Sequence, residues 1–372
     1  MLFKINIRKF DFVLVLLCIA ITYIGIMFIK SADSSYVKRQ QEGFICGIAL
    51  MLLLAAINYN FILRFYWLIY GACITLLVLV RLFGDDGGGA KRWFEFGGVR
   101  FQPSELVKIG LILFFAQFIM KHKDTLNTFR IILACVALII PPVLLIFKQP
   151  DLSTSIVVFA VFCVCMFVGG ISWKIIGGSI VIGVPAFIFA LRYLMLENVH
   201  ILSDYHKTRI LAWLYPEEYE FKEAYQTLNA ITAIGSGQLT GKGLNNNVIA
   251  SVKNGNFISE AHTDFIFAVV GEEMGFVGCC IVLALLFLIA IICAVTARKA
   301  KDLAGSIIAG GMAGLIGVQT FINVGVVTGL LPNTGLTLPF VSYGLTSLIS
   351  MFIGIGVVLN VKMQSPNYMW NE

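Results

Sequence analysis

Charge is the property this chain has least of. Only 13% of its 372 residues are Asp, Glu, Lys or Arg, about half the share of an ordinary soluble domain. Apolar side chains make up 59%, and the mean hydropathy is +0.89. A soluble fold is excluded on that balance. Histidine is also rare, with four copies. The nine cysteines (Cys18, Cys46, Cys73, Cys135, Cys163, Cys165, Cys279, Cys280 and Cys293) all fall inside apolar runs and lack CxxC spacing. That pattern argues against a zinc site or a disulfide framework and leaves them as small apolar fillers. No GxxxxGK[ST] and no GxGxxG after a strand occurs, so no nucleotide cofactor is expected and an ATP-driven pump has no support. The pI near 8.8 is ordinary for a membrane protein, and no nucleic-acid partner is implied.

What is present is a series of long apolar runs. A membrane-crossing helix needs about 17–25 mostly apolar residues. Ten runs approach or reach that length, at about 12–30, 43–58, 61–82, 105–120, 130–147, 153–170, 174–191, 264–294, 304–329 and 338–360. The second is short, and the eighth is long enough to tilt or project beyond the bilayer. Hydropathy this strong excludes a β-barrel. The first run follows Lys4, Arg8 and Lys9 without a small-residue cleavage site, so it reads as a retained helix and not a signal peptide. The expected fold is therefore an all-α polytopic integral membrane protein, a single membrane domain over 1–372.

Orientation follows from Lys and Arg in short loops. With both termini on the cytoplasmic side, the inner loops hold Arg64, Lys121, Lys123, Arg130, Lys174, Arg298, Lys299 and Lys301. Lys38, Arg39, Lys91, Arg92, Arg100 and Lys148 fall on the opposite side. Cations that break the rule are expected to have a task there. Two outer segments stand out, 83–104 and the larger 192–263 between the seventh and eighth spans. The larger one is too Gly-rich for an independent domain and is expected to lie over the mouth of the bundle.

Ionisable residues within or at the edge of spans are costly, and so are functional candidates. Glu105 and Lys108, in QPSELVKIG, share a helix face. They read either as an ion pair pinning the helix or as part of a polar cavity. Asp151, in FKQPDLST beside Lys148, reads as a helix cap or a substrate contact. Arg92 and Arg100 suit phosphate. Trp93 is either an interfacial belt residue or a platform for a sugar ring, within a loop made bendable by Gly84, Gly87–Gly89, Gly97 and Gly98. Asp264, in SEAHTDFIFAVVGEEMG, would head a stripe of Ala268, Gly271 and Gly275 if helical geometry ran through it. An acid above a smooth groove suits a lipid-linked polar head; a loop-locking Asp is the plainer alternative. His262 reads as a substrate contact or a structural hydrogen-bonding residue. A Ser259/His262/Asp264 triad has no nucleophile elbow to support it. Pro332, Gly335, Pro339 and Gly344 break the apolar pattern over 323–348, which marks a re-entrant or cavity-lining segment.

Five motifs, KRWFEFGGVRFQPSELVKI, QPDLSTS, AIGSGQLTGKGL, EAHTDFIFAVVGEEMGFVG and NVGVVTGLLPNTGLTLPFVSYG, resemble the SEDS family, which includes RodA, FtsW and SpoVE. The resemblance runs in order from about residue 10 to 362. It implies a ten-span peptidoglycan glycosyltransferase of the bacterial cytoplasmic membrane, which polymerises lipid II on the outer face. Expected partners are a class B penicillin-binding transpeptidase, other elongasome or divisome proteins and membrane lipids. By position, Asp264 matches the family's essential Asp, and it would act as general base or hold Mg²⁺ or Mn²⁺. Glu105 and Lys108 match the PSE-xx-K pair, Asp151 the QPDLGT Asp, and Trp93 the loop Trp. Ser153 stands where the family has Gly, and GLTS at 344–347 replaces GGSS or GGSA. AIGSGQLTGKG and the QPD segment lean towards RodA, the short tails towards RodA or SpoVE, and EAHTDFIF and GLTLPFVSYG towards FtsW. Two other readings stay open, a lipid II flippase and a non-catalytic scaffold for a transpeptidase.

Overall fold

The computed structural model describes residues 9–87, 90–96, 99–194, 204–219, 224–244, 258 and 260–366. Ten helices of 17 residues or more run through it: α1 (Phe12–Ala32), α2 (Val37–Ala56), α4 (Tyr66–Phe83), α5 (Pro103–Lys121), α6 (Phe129–Phe147), α7 (Leu152–Val168), α8 (Trp173–Leu194), α11 (Ile266–Arg298), α12 (Leu303–Val327) and α13 (Leu345–Met363). A short α3 (Tyr59–Leu63) precedes α4, and α9 (Asp204–Leu214) and α10 (Tyr225–Ser236) lie between α8 and α11. Each of the ten expected runs coincides with one of the long helices. Among the described residues, seven helices are long and apolar enough to cross a membrane by length and composition alone, and α7 is a shorter apolar helix. The chain is an all-α polytopic membrane protein in its bundle.

Local sequence explains where the helices begin. The Asp11 carboxylate caps α1 by accepting from Leu14 N–H at 3.2 Å. Asp302 caps α12 through Gly305 N–H at 2.8 Å. Pro103 opens α5 in its first turn, where no N–H is needed. α5 is the central helix, buried on nearly every side and packed against α4, α7, α12 and α13. All nine cysteines are free thiols.

One end of the bundle is tied shut. Tyr59 Oη donates to Asp302 at 2.7 Å, Tyr59 N–H donates to Asn360 at 2.9 Å, and Asn360 Nδ2 donates to the Ala55 carbonyl at 2.7 Å. Lys362 forms an ion pair with Asp11. The other end carries Asp264, α9, α10 and a small sheet.

That sheet departs from the expected loop at 83–104. Strands β1 (Asp85–Gly87), β2 (Ala90–Phe96) and β3 (Val99–Phe101) form an antiparallel meander. Ala90–Phe96 is a seven-residue run between three glycines and a glycine pair, a hairpin pattern that the glycine-rich reading overlooked. The long eighth run also resolves differently. α11 is broken at Gly275, whose φ of 62° is left-handed and so suits glycine. The segment after α10 docks at that break. Phe276 N–H donates to the Gln238 carbonyl at 2.9 Å, and Lys242 N–H to the Glu272 carbonyl at 3.0 Å. Of the large loop at 192–263, residues 195–203, 220–223, 245–257 and 259 lie outside the described residues.

Candidate active site

Asp264 does not sit on the helix. It lies in the turn over 260–265, and α11 starts at Ile266. The stripe reading fails for a second reason. A Cβ on Gly271 would stand 2.9 Å from Ile234 of α10, and one on Gly275 would stand 2.5 Å from Gly241 N. The small residues admit the chain's own segment, so they leave no open groove beneath the acid at those positions.

What fixes Asp264 is a set of hydrogen bonds between the 260–265 turn and the irregular 328–344 segment that joins α12 to α13. Asn323, on α12 and only 1% exposed, donates from Nδ2 to the Asp264 carbonyl at 2.8 Å and to the Leu336 carbonyl at 2.6 Å. Ser342 Oγ donates to the Thr263 carbonyl at 2.7 Å and accepts from Leu338 N–H at 2.7 Å. Tyr343 N–H donates to the His262 carbonyl at 2.9 Å. Buried Gln40 of α2 ties down the same segment, donating to the Ser342 carbonyl at 3.1 Å and accepting from Gly344 N–H at 3.3 Å. Irregular backbone at membrane depth survives only when its polar groups are satisfied by protein or water in this way.

The carboxylate is half-buried. A Cβ added to Gly335 would stand 3.2 Å from Asp264 Oδ2 and 4.0 Å from Arg209 Nη1, and Gly335 has a φ of +72°. Only glycine suits that position, and the acid and the arginine both lie close to it. Burial, then the nearby Glu260 charge, pushes the Asp264 carboxyl up to about 7, against the pull of Arg209 and Arg92; Asp151 adds to the rise. Such a carboxyl is poised to take a proton near neutral pH.

Around this centre the expected residues take distinct places. Arg92, half-buried on β2, donates from Nε to the Gln149 carbonyl at 2.8 Å and from Nη2 to the Pro150 carbonyl. Asp151 is 4% exposed and caps α7. Its Oδ1 accepts from Thr154 N–H at 3.1 Å, and its Oδ2 accepts from Gln102 Nε2 at 3.3 Å. It is a cap that also adds charge to the Asp264 neighbourhood. Ser153 Oγ lies 3.1 Å from Asp151 Oδ1 and 2.8 Å from the Thr334 carbonyl. The Gly-to-Ser departure is thereby accommodated, and it links α7 to the irregular segment. Thr346, in the GLTS departure, accepts from Gln102 N–H at 3.1 Å, and Ser347 Oγ lies 3.2 Å from Thr337 Oγ1.

Glu105 and Lys108 form a buried ion pair at 2.9 Å. Lys108 Nζ also donates to Gln319 Oε1 at 2.9 Å, and Gln319 Nε2 donates to the Thr337 carbonyl at 3.0 Å. The pair therefore pins α5 to α12 and supports the same irregular segment from below. Trp93 is half-buried on β2, opposite Asp85 in the β1–β2 ladder.

Three expected residues are placed as follows. Arg100 is exposed and faces Glu95 across the β2–β3 ladder at 3.7 Å, because the hairpin register places them opposite each other. Lys148 is exposed at the end of α6, and its neighbour Gln149 takes the buried position. The His262 ring stacks on Tyr36 with centroids 4.2 Å apart and planes 12° apart. Burial holds its pKa below the ordinary histidine value, against the pull of Glu260 and Asp33. It packs as a neutral aromatic ring.

Arg209, Asn323, Gln40 and Gln319 were not singled out from the sequence. Asn323 and Gln319 had a readable signal, a lone amide in an apolar run; Gln40 had none, since it lies in the polar stretch VKRQQEG. Arg209 had little, since it lies in DYHKTRILAWL among several other polar side chains.

A family model for cell cycle proteins of the FtsW/RodA/SpoVE type matches residues 3–367. The chain belongs to this family. A probable peptidoglycan glycosyltransferase FtsW from Geobacter metallireducens is 36% identical over 97% of both chains. Peptidoglycan glycosyltransferase MrdB from Escherichia coli is 36% identical over 94% of this chain and 93% of its own. Equal identities to these two relatives do not separate the RodA and FtsW types. The crystal structure of Thermus thermophilus rod shape determining protein RodA superposes with a TM-score of 0.70 at 30% identity, over 95% of this chain and 96% of that one. A chain from a structure described as coordinating polymerization and crosslinking in a peptidoglycan synthase complex gives a TM-score of 0.80 at 30% identity, over 95% and 97%.

Proposed function

We propose that this protein is a peptidoglycan glycosyltransferase that polymerises lipid II at the Asp264 end of the bundle, with that end facing outward from the bacterial cytoplasmic membrane and both termini inside. The observation that carries the reading is the single half-buried carboxylate with a pKa near 7, held by Asn323 and flanked by arginines. The acceptor is a sugar hydroxyl, a poor nucleophile at neutral pH. Asp264 takes its proton as the hydroxyl oxygen bonds to the anomeric carbon of the donor. The bond from that carbon to the diphosphate oxygen breaks, the electron pair stays on the diphosphate, and the carbon inverts. General-base help of this kind is worth ~10²–10⁴-fold. No covalent intermediate and no second catalytic carboxylate are required, unlike in retaining glycosidases.

A divalent cation fits this site as a shared ligand. Among the described residues no group of three His, Cys, Asp or Glu could hold a metal alone. Mg²⁺ is commonly bound by one or two carboxylates plus substrate phosphates. Asp264, with Glu260 close enough to perturb it, would supply the protein's share. Bound there, the ion would add charge stabilisation for the departing diphosphate.

Family members that act in a synthase complex support a transpeptidase partner for this chain as well. The test is purified protein with lipid II and Mn²⁺ or Mg²⁺, with and without the cognate transpeptidase, products resolved on a gel. A ladder of glycan strands is expected. No ladder with the partner present, together with lipid II movement across liposomes, would favour the transporter.

A further inference from the structure

Arg209 belongs to α9, outside the membrane helices, and its Nη1 and Asp264 Oδ2 both lie beside Gly335. Its Nη1 donates to the Asn333 carbonyl at 3.2 Å, which anchors one edge of the guanidinium. Arg92 comes from the opposite direction, on β2, and is anchored by the Gln149 and Pro150 carbonyls. Both arginines line one narrow cavity of about 20 Å³ with Pro332, Asn333 and Thr334. Thr334 Oγ1 is fully buried and has no hydrogen-bond partner. A buried hydroxyl without a partner is costly. It is an unsatisfied donor on a residue that lines the same cavity as the two arginines. The cavity has room for about one oxygen-sized group, so it would read a single non-bridging phosphate oxygen and not a sugar.

Resting on the glycosyl-transfer reading, we propose that Arg209 is a catalytic residue. With Arg92 and the Thr334 hydroxyl it binds the diphosphate of the polyprenyl-linked donor and carries the charge of the leaving group. The ligand class is a prenyl diphosphate. The two guanidiniums offset the negative charge that builds as the anomeric bond breaks, and their backbone anchors mean that little reorganisation is needed at that moment. Because α9 carries one of the two, the large loop completes the site as well as covering it.

The test uses the full-length protein with its transpeptidase. Strand synthesis is measured in wild type, Arg209→Gln, Arg209→Lys and Asp264→Asn. Inhibition by farnesyl diphosphate and by inorganic diphosphate is measured beside it, and direct binding of both probes is measured for all variants. Arg209→Gln is expected to lose ~10²–10³-fold in turnover, the scale of one transition-state donor, and to bind farnesyl diphosphate at least ~10-fold more weakly. Arg209→Lys, which keeps the charge and loses the fork, should fall between Arg209→Gln and wild type. Asp264→Asn should lose turnover and, with no divalent cation added, still bind the probe at least as well as wild type. Preference for farnesyl over inorganic diphosphate by ~10-fold or more identifies the lipid-linked source. Equal binding of the two would overturn that part. Wild-type turnover in Arg209→Gln, or lost turnover with unchanged probe affinity, overturns the assignment. If Arg209→Gln does not fold, Thr334→Val carries the test: ~3–10-fold weaker probe binding supports the site, and unchanged binding with unchanged turnover overturns it. Absence of strands from wild type would count against the glycosyl-transfer reading itself, and the binding arm would remain readable.

Discussion

Replacing Asn323 by Leu tests how the acid is held. Asn323 is almost wholly buried, and its amide donates to two carbonyls, Asp264 O and Leu336 O. Both acceptors fix the amide orientation, so Oδ1 is the atom left buried without a partner. Each orphaned buried polar group costs about 1–3 kcal/mol. Leucine orphans two carbonyls and removes one orphaned oxygen. The net loss is therefore about one such group, about 1–3 kcal/mol, with side-chain volume nearly kept. The kinetic effect should be larger. The turn bearing Asp264 loses its tie to α12, and a displacement of ~1 Å in a catalytic group costs ~10²-fold. The measurements are strand synthesis at saturating lipid II and the apparent unfolding temperature in detergent. A modest drop in unfolding temperature with a ~10²-fold loss of turnover is expected. Wild-type turnover with the same drop would mean that Asp264 is positioned without Asn323, and the reasoning would be wrong.

Other consequences follow from the same geometry. A carboxyl raised to about 7 is a base only once ionised, so turnover should rise with pH through about 7 and then level off. Glu260→Gln should move that midpoint to lower pH, and because a bound divalent cation would lower it too, the burial argument is contradicted by a midpoint near 4 when Asp264 is titrated free of cation. Because folded Asp264 binds its proton more tightly than an unfolded Asp, stability falls as pH rises between the ordinary carboxyl value and about 7. Asp264→Asn should therefore unfold at a higher temperature than wild type at pH 8, and equal temperatures would refute it. Lys108→Met should destabilise by about 3–5 kcal/mol by leaving Glu105 buried and unpaired, while Glu105→Gln with Lys108→Met should recover most of that; equal loss in both would show that the pair is not coupled. Ser153→Gly should lower stability by about 1 kcal/mol with little effect on turnover, as read by thermal unfolding beside the strand assay.

The helices were legible because their signal is additive: every long helix lies on an apolar run. The break in α11 at Gly275 was not, because nothing in AVVGEEMGFVG separates a packed glycine from a left-handed one. The stripe through Gly271 was real as a pattern, but it meets the chain's own Ile234, a contact between segments far apart in sequence. Asp264 was legible as an acid at a span's mouth, and Asp151 as a cap. The surroundings of Arg100 and Lys148 were not legible, because a cation in a loop carries no sign of which way it faces. The hairpin register pairs Arg100 with Glu95, and Gln149 takes the inward place beside Lys148. Arg209 depends on where α9 folds back, which is set by tertiary contacts and not by its own sequence.

The most direct test of the account is strand synthesis from lipid II by matched preparations of wild type and Asp264→Ala, with the transpeptidase and divalent cation present. The account predicts a glycan ladder from wild type and none from the variant, with equal expression and folding of the two. A ladder of wild-type intensity from Asp264→Ala would contradict it.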